Sequence, residues 1–299
     1  MKNKNFLIII NPISGKKKHK QDIIFVENFF NKHSIKIIKF YTEYKGHANE
    51  YLKKVNDKKF TDILVYGGDG TFNEVINGVL GRKDKYNPNI GFLPGGSGNA
   101  VIHHLNLLDI EKACENILRS NLRIIDVMEL SFNDSIEYSI NIVGWGMVTD
   151  IGILSEKLRW FGPARYTIAS LIYIFNIKNR FATIKINDAE YQDDYLFILI
   201  SNTKYTGKGM KIAPHAKLND QKLDLICVKN NITKFNLIKL LPMLFTGEHI
   251  QSKYVDYVQI QSLEILPKYN DALNIDGEIH GFTPIQIRIS DKRLSIYSD

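Results

Sequence analysis

The sequence contains very few cysteines. Only Cys114 and Cys227 occur among its 299 residues, and they lie far apart in the chain. Two distant cysteines match neither the ligand spacing of a zinc site nor the disulfide framework of a small secreted domain. We therefore expect a protein of a reducing compartment, and the cytoplasm is the expected location.

Long apolar runs are also missing. No stretch approaches the roughly 20 apolar residues that a helix needs to span a bilayer. The first apolar run, residues 6–10, is too short for a signal peptide and is followed at once by Asn11 and Pro12. We expect no transmembrane segment and a protein that is either soluble or peripheral to a membrane.

Two common nucleotide-binding motifs do not occur either. The chain has no GxxxxGK(S/T) sequence, and the loop after Tyr66 reads Gly68, Gly70 and then Asn73, so it does not complete GxGxxG. P-loop proteins and Rossmann dinucleotide-binding proteins are therefore disfavoured. The sequence also has no internal repeat or low-complexity linker, so we expect its domains to be closely coupled.

The composition is that of an ordinary globular protein with an excess of positive charge. Hydrophobic residues make up 44% of the chain and charged residues 24%, and the formal net charge is +7. The excess favours an anionic partner, such as a nucleotide, a nucleic acid or an anionic membrane surface, although a merely solubilising surface explains it equally well. Since no stacking-aromatic motif of the RNA-binding kind occurs, we expect no nucleic-acid partner.

The pattern of the chain changes near residue 126. Over residues 1–126, strand-like and helix-like segments alternate, which predicts an α/β domain with a parallel sheet. Over residues 127–289, short β-like runs with two helical insertions predict an antiparallel sandwich or barrel. We allow the last residues, about 290–299, to return to the first domain. The β-like runs of the second part are residues 127–132, 138–143, 183–186, 195–201, 223–228, 258–265 and 285–289.

The most informative segment is the glycine-rich turn GGDGT, between a strand-like run and a helix-like run. Gly67, Gly68 and Gly70 permit positive φ angles and the close approach of a large anion. The following helix presents unpaired amides and the positive end of its dipole, which suit a phosphate group. Asp69 lies within this turn, and a carboxylate there indicates chemistry on phosphate, through a proton or a metal.

Two further loops leave the same predicted edge of the sheet. NPISG offers Ser14 and the Gly15 amide to phosphate oxygens, and PGGSGN offers the Ser97 hydroxyl and glycine amides. Each loop alone is more often a structural strand-to-helix turn, in which Ser97 or Asn99 caps the helix. Three such loops on one edge of a sheet favour a nucleotide.

The second half of the chain adds further candidate residues. Asp276 and Glu278 flank a glycine in a sequence that a hairpin turn explains, although Glu278 is also a candidate base. The turn around Asp220 has the oxygen donors that Mg²⁺ or Ca²⁺ prefers, but a polar hairpin approach explains it as well. Arg159 and Arg165 are suited to contact phosphates, or belong to an ordinary surface helix.

Together these motifs resemble those of the lipid kinases related to diacylglycerol kinases and sphingosine kinases. NPISGK, TEYKGHANE, GGDGTFNEVINGV, GFLPGGSGNA, the block from GWG to GPARYT, and DGE occur in the family's order and cover nearly the whole chain. The resemblance implies an ATP-dependent transfer of phosphate to a lipid hydroxyl. It also implies an α/β plus β fold. An N-terminal domain like that of NAD kinases and phosphofructokinases and a C-terminal antiparallel β-sandwich would then hold ATP between them.

The resemblance assigns roles to the residues that match family motifs. Asp69 matches the acid that accepts the hydroxyl proton in the sphingosine branch. Glu278 matches the acid proposed for this role in the bacterial branch, so both residues are candidates for the catalytic base. The residues that match nucleotide contacts are Asn11, Ser14, Gly15, Thr42, Gly67, Gly68, Asp69, Gly70, Thr71, Asn73, Ser97, Arg159, Arg165 and Asp276.

A metal site is implied in the same way. Asp220, with the main-chain oxygens of Lys217 and Lys222, matches a Mg²⁺ site of the bacterial enzymes. The usual glycine after the aspartate is Gln221 in this chain, which weakens the match. Mg²⁺ and ATP are the cofactors that the resemblance implies.

The resemblance also bears on the acceptor. Asp150 is the expected substrate-binding residue, but a second acid, which the sphingosine branch has two residues later, is Gly152 here. We therefore expect a neutral lipid alcohol such as diacylglycerol, presented at a membrane surface. The alternatives are a sphingoid-base or ceramide kinase, a soluble-substrate kinase related to NAD kinases, and a silent binding protein. The sequence leaves a homodimer open.

Overall fold

Two units make up the chain. The first comprises Met1–Val127 and Asp291–Asp299, and the second comprises Met128–Ser290. The computed structural model describes residues 5–14, 18–55, 60–84, 86–96, 100–132, 135–207 and 209–298, without the side chain of Pro163. Strands and helices are numbered in chain order.

The first unit contains a six-stranded sheet. Its strands are β1 (Asn5–Ile10), β2 (Lys36–Tyr41), β3 (Asp62–Gly67), β4 (Asn89–Pro94), β5 (Leu122–Ile125) and β17 (Leu294–Tyr297). Their spatial order is β2-β1-β3-β4-β17-β5. All neighbouring strands in this order are parallel except β17 and β5, which pair antiparallel. The predicted parallel sheet is thus confirmed, with one antiparallel edge strand added.

Helices connect these parallel strands. They are α1 (His19–Asn31), α2 (His47–Lys54), α3 (Asp69–Leu80), α4 (Ala100–His104) and α5 (Ile110–Arg119). Every residue of β3 is buried, and so is every residue of β1 after the first, as expected for central strands of a parallel sheet. This arrangement places the loops after β1, β3 and β4 at the carboxyl edge of the sheet.

The second unit is an antiparallel β structure of eleven strands. They are β6 (Met128–Phe132), β7 (Ser135–Ser139), β8 (Ile142–Gly146), β9 (Arg180–Ile186), β10 (Ala189–Ser201), β11 (Leu223–Lys229), β12 (Val255–Ile260), β13 (Ser262–Pro267), β14 (Ala272–Ile275), β15 (Glu278–Phe282) and β16 (Ile285–Ile289). The main path runs β15-β14-β8-β10-β9-β13-β16-β6-β7, and β11 pairs with β10 and β12. One apolar core of this unit includes the fully buried Trp145.

Helices cover a second apolar core of this unit. They are α6 (Met147–Lys157), α7 (Arg165–Phe175) and α8 (Lys234–Thr246), with 3-10 turns at Arg159–Ala164 and Glu248–Gln251. Met147, Ile174, Leu237 and Leu240 are their buried residues in this core. None of the helices in the described part of the chain is long and apolar enough to cross a bilayer.

Two strands that hydropathy predicts as continuous are broken in the structure. Residues 138–143 divide between β7 and β8, where the Asp276 carboxylate accepts the amide of the first residue of β8. Residues 258–265 divide between β12 and β13, where the Asn187 side-chain oxygen accepts two amides at the break. At both breaks, side-chain oxygens from distant parts of the chain accept amides that would otherwise pair in the sheet. The local sequence pattern therefore does not reveal the breaks.

Candidate functional site

The loop after β1 is fixed to the loop after β3. The Asn11 amide donates to the Tyr66 carbonyl oxygen at 3.0 Å, and the Asn11 side-chain nitrogen donates to the Thr71 hydroxyl at 3.0 Å. The Asn11 carbonyl oxygen accepts the amide and hydroxyl of Ser14 at 3.2 and 2.8 Å. Three residues that were predicted to bind the nucleotide therefore lie close together at the carboxyl edge of the sheet: Asn11, Ser14 and Thr71.

The glycines of these loops serve close packing. A Cβ atom at Gly67 would lie 2.6 Å from the Thr71 Cβ, and a Cβ atom at Gly95 would lie 2.9 Å from the Gly67 nitrogen. The positive φ angles expected in GGDGT are not adopted, because Gly68 precedes α3 with φ −110° and Gly70 lies in its first turn. The turn therefore needs glycine because neighbouring groups leave no room for a side chain at Gly67.

Asp69 is the first residue of α3, and its carboxylate binds the start of α4. Its two oxygens accept the backbone amides of Ala100 and Val101 at 3.1 and 3.5 Å. Because amides at a helix start have no partner within the helix, a carboxylate from another loop caps them effectively. The predicted acid of the phosphate cradle thus has a hydrogen-bonded structural role in this unit.

Glu74, also on α3, caps the start of α2 in the same way. Its two carboxylate oxygens accept the Gly46 amide at 2.8 Å and the Ala48 amide at 3.2 Å. Helix α2 is preceded by Gly46 at φ 89°, which supplies no side-chain cap. Sequence reasoning missed this role of Glu74, although the uncapped glycine before α2 is a signal that an external acceptor is needed.

The other predicted nucleotide residues of the first unit are also placed near these loops. The buried Thr42 follows β2 and donates its amide to the Ile10 carbonyl oxygen at 2.9 Å. The Asn73 side-chain oxygen accepts a hydrogen bond from Asn77 at 3.2 Å within α3. Gly15 and Ser97 lie outside the described residues.

In the second unit, β14 and β15 form a hairpin around Asp276 and Gly277. Both turn residues have positive φ, 51° and 90°, as in a type I′ turn, so the hairpin interpretation of this sequence is confirmed. The buried Asp276 carboxylate accepts the Ser139 hydroxyl at 2.5 Å and the Ile142 amide at 3.0 Å. These bonds anchor the hairpin in which Glu278, partly buried, is the first residue of β15.

Arg159 and Arg165 both form ion pairs with Glu156. The Arg159 Nε donates to Glu156 at 2.7 Å, and Arg165 lies 3.3 Å from the other oxygen of the same carboxylate. Gly162, with φ 57°, turns the chain between the two arginines. The structure therefore brings both predicted phosphate-binding arginines together, with two guanidinium groups sharing one carboxylate.

Asp150, the predicted substrate residue, belongs to a partly buried ion-pair cluster. Arg180 donates to the Asp150 carboxylate at 2.7 Å and to the Asp271 carboxylate at 2.8 Å. Burial lowers the pKa of Arg180, but the two carboxylates more than offset this effect, so its pKa is raised overall. Asp150 therefore already has a cationic partner within the protein, which it shares with Asp271, and sequence reasoning did not find Arg180.

The predicted metal turn is formed despite the missing glycine. Gln221 adopts φ 56°, the left-handed conformation that glycine usually takes, and the Asp220 carboxylate accepts the Lys222 amide at 3.2 Å. Lys217, Asp220 and Lys222 line a cavity of about 520 Å³. In the described part of the chain, no three His, Cys, Asp or Glu side chains converge as metal ligands. A metal here would therefore have one carboxylate ligand and main-chain carbonyls.

Two family models together cover most of the chain. Residues 5–130 match the model described as the diacylglycerol kinase catalytic domain. Residues 141–298, more than half of the chain, match the model described as the YegS C-terminal NAD kinase beta sandwich-like domain. The chain belongs to the diacylglycerol kinase-like family of lipid kinases. Membership in this kinase family confirms the resemblance that the motifs indicate.

Relatives within the diacylglycerol kinase-like family come from bacteria and plants. Diacylglycerol kinase of Bacillus subtilis (strain 168) is 28% identical over 282 residues, which cover 93% of this chain and 90% of that protein. Sphingosine kinase 2 of Arabidopsis thaliana is 28% identical over 317 residues, which cover 88% of this chain and 65% of that protein. The chain thus spans less than two thirds of the plant kinase.

Solved structures share the fold of this family member. A diacylglycerol kinase from Bacillus anthracis str. Sterne has a TM-score of 0.75 at 19% identity, covering 100% of this chain and 98% of that chain. An NAD kinase from Archaeoglobus fulgidus, solved in complex with ATP, has a TM-score of 0.53 at 11% identity, covering 98% and 93%. These likenesses confirm the predicted fold class, an NAD kinase-like α/β domain followed by an antiparallel β-sandwich.

Proposed function

We propose that the chain is an ATP-dependent kinase that phosphorylates the hydroxyl group of a neutral lipid alcohol such as diacylglycerol. Family membership supports lipid phosphorylation, and the partly buried ion pair between Asp150 and Arg180 is the observation that favours a neutral acceptor. The roles of individual residues that follow belong to this proposal.

The nucleotide-binding part of the proposal concerns the carboxyl edge of the first sheet. Asn11, Ser14 and Thr71 present polar groups there, and the amino end of α3 contributes the amides of its first turn and the positive end of the helix dipole. Arg159 and Arg165 would neutralise phosphate charge once they exchange the Glu156 carboxylate for phosphate oxygens. The protein would then act by positioning the reactants and stabilising the phosphate charge, as phosphoryl transfer requires.

The base in the proposal is Glu278. Its carboxylate takes the proton of the acceptor hydroxyl, the oxygen forms a bond to the γ-phosphorus of ATP, and the bridging bond breaks to release ADP. Asp69 is less suited to this role, because two backbone amides stabilise its charge and so weaken it as a base. We assign Asp69 to holding the start of α4 beside the GGDGT turn.

The preference for a neutral acceptor rests on charge and space in the second unit. A sphingoid base carries an ammonium group, which would require a carboxylate that is not already paired. Asp150 is paired with Arg180 at 2.7 Å. A Cβ atom at Gly152 would lie 3.0 Å from the Ile279 Cδ1, so a side chain at the position of the second sphingosine-branch acid would require this methyl group to shift.

Magnesium enters the proposal in two ways. It arrives with the substrate as the Mg²⁺ complex of ATP, where it neutralises phosphate charge. A second ion fits the turn at Asp220, because Mg²⁺ accepts a single carboxylate with carbonyl oxygens, here those of Lys217 and Lys222, and keeps several waters. Its contribution there would be to stabilise the turn.

A thermal-unfolding measurement tests the Asp220 site without relying on activity. Added MgCl2 should raise the melting temperature of the wild type, because a ligand that binds only the folded state stabilises it. The increase should disappear in Asp220→Asn and persist in Asp188→Asn, which changes an exposed acid of another turn. An equal Mg²⁺ effect in both variants would exclude this site.

The proposed substrate also implies a location. A long-chain diacylglycerol remains in a bilayer, so the enzyme must work at a membrane surface as a peripheral protein, and we propose the cytoplasmic face. The net charge of +7 favours anionic lipids there, at about 1 kcal/mol per basic residue close to the surface.

A panel of acceptors tests the proposed function directly. The wild type with Mg²⁺ and labelled ATP would be given diacylglycerol, sphingosine, ceramide or NAD, each lipid in the same detergent micelles. We expect label in the diacylglycerol product and little in the sphingosine product. Preferential labelling of sphingosine or ceramide would reassign the acceptor, and labelling of NAD alone would replace the lipid kinase with a soluble-substrate kinase.

A further inference from the structure

The main sheet path of the second unit has two end strands, β7 and β15. Among the described residues, β7 pairs only with β6, and β15 pairs only with β14. Side chains nevertheless connect the two ends. The Nε2 atom of His280, in the middle of β15, lies 3.0 Å from a carboxylate oxygen of Glu137, in the middle of β7. One of the two strands joined in this way is the strand that begins with Glu278.

A bulge in β15 occurs at the residue that contacts β7. Two residues of β15, His280 and Gly281, lie opposite one residue of β14. Gly281 has φ 70°, a left-handed conformation that favours glycine. A Cβ atom there would lie 3.4 Å from the ring of Phe132, so the bulge lies against the end of β6. Because a bulge bends its strand and redirects a side chain, this irregularity supports the contact between His280 and Glu137.

Ile279 shows how the neighbouring side chains of β15 are oriented. A Cβ atom at Gly152 of α6 would lie 3.0 Å from the Ile279 Cδ1, so Ile279 faces α6. Because successive side chains of a strand alternate, Glu278 and His280 both lie on the other face. The base proposed for phosphate transfer and the residue that contacts Glu137 therefore share one face of β15, roughly 7 Å apart along the strand.

The main chain around Glu278 is attached to other strands on both sides. Asp276 anchors the turn before Glu278 by accepting hydrogen bonds from the end of β7 and the start of β8. His280 supplies a second attachment, two residues after Glu278. A carboxylate that accepts a proton must be within hydrogen-bond reach of the hydroxyl, and a displacement of about 1 Å can reduce the rate about 100-fold. The second attachment therefore bears on turnover as well as on the stability of the hairpin.

We propose that the hydrogen-bonded pair of Glu137 and His280 positions Glu278 for phosphate transfer. The inference rests on the proposed function, since it takes Glu278 as the base of that reaction. His280 is a positioning residue, which acts on the reaction only through the strand that carries Glu278. The side chains of His280 and Glu137 are 31% and 33% exposed, so the pair contributes little to global stability. An effect of the pair on turnover can therefore be separated from an effect on folding.

Turnover of alanine variants at both positions tests the pair. His280→Ala and Glu137→Ala should each lower kcat about tenfold, with little change in the KM for ATP or for the lipid, because the substrate contacts remain. The double variant should lose no more than either single variant, since both substitutions remove the same contact. In the Glu278→Gln background, His280→Ala should have no further effect. Exchange of the two residues, Glu137→His with His280→Glu, should restore most of kcat.

Hydrogen exchange tests the positioning without relying on activity. In His280→Ala, the backbone amides of residues 272–282 should exchange about fivefold faster than in the wild type, as expected when one charge-assisted hydrogen bond is lost. The melting temperature should stay close to that of the wild type. Glu264→Ala is the matched control, because Glu264 pairs with Lys185 between two other strands of this unit at 3.0 Å and is 32% exposed. This control should change neither the exchange of residues 272–282 nor kcat.

Several outcomes would overturn the proposal. Wild-type kcat in both alanine variants would do so, and so would a loss in His280→Ala that Glu137→Ala does not share. A further loss from His280→Ala in the Glu278→Gln background would show that His280 acts independently of the base. If the wild type phosphorylates no acceptor, faster exchange of residues 272–282 in His280→Ala would support the positioning of this hairpin and contradict only the proposed function. Unchanged exchange would then overturn both.

Discussion

Asp69 and Glu278 lie in different local structures. Asp69 accepts two backbone amides at the start of α4, whereas Glu278 begins a strand behind an anchored type I′ turn. Both acids were candidates from the sequence, because a motif shows that an acid is present but not which groups surround it. The structural partners of Asp69 favour Glu278 as the base.

Separate measurements on Glu278→Gln and Asp69→Asn distinguish the two roles. Glu278→Gln should lower kcat by at least about 100-fold, the usual contribution of a general base, with little change in ATP affinity. Asp69→Asn should reduce ATP affinity and stability, because the cap on α4 weakens. Turnover and ATP binding by calorimetry measure the two effects, and the reverse pattern would reinstate Asp69 as the base.

The Arg180 cluster is a residue-scale feature that the sequence does not reveal. Its partners, Asp150 and Asp271, lie far from Arg180 in the chain, and no spacing rule connects them. Only the packing of α6 and the strands brings these three side chains together. The charge state of the proposed acceptor site therefore depends on tertiary structure.

Removing Arg180 should destabilise the second unit. Arg180→Ala leaves two partly buried carboxylates, Asp150 and Asp271, without their counter-charge, so the free energy of unfolding should fall by about 3 kcal/mol. The exposed pair of Arg119 and Glu115 is the control, and Arg119→Ala should change it by about 0.5 kcal/mol or less. Urea unfolding measures both variants, and equal effects would mean that the cluster contributes no more than a surface pair.

At the scale of elements, the strands and helices around the carboxyl edge of the first sheet could be predicted. The corners of the second unit and the short strands β5 and β17 could not. The apolar runs of β1 and β3 and the glycine loops after them follow from local pattern. The short strands β5 and β17 have only four residues each, and their pairing depends on partners far away in the chain. The breaks at Asp276 and Asn187 likewise depend on distant side chains.

Helix α3 carries an element-scale prediction, because its Glu74 organises the turn that begins α2. Glu74→Ala should lower the free energy of unfolding by about 1–2 kcal/mol, since two amides lose a charged acceptor. Glu74→Gln keeps one acceptor oxygen and should lose less. Glu115→Ala, in an exposed pair on α5, is the control. Chemical denaturation of the four proteins checks the order, and a neutral Glu74→Ala would contradict the role.

At the scale of the whole molecule, the fold class and the family could be predicted because several motifs occur in order along nearly the full chain. The family models confirm the family, and the solved structures confirm the fold class. The acceptor could not be predicted with the same certainty, since it depends on how paired charges and apolar side chains are distributed over the second unit.

The most direct test of the central claim is phosphate transfer from labelled ATP to an extracted-lipid mixture, with mass spectrometry of the labelled product. The account predicts one main product, a phosphorylated neutral lipid alcohol, which forms with the wild type and falls to background with Glu278→Gln. The absence of any labelled lipid with the wild type, across Mg²⁺ and lipid conditions, would contradict the account.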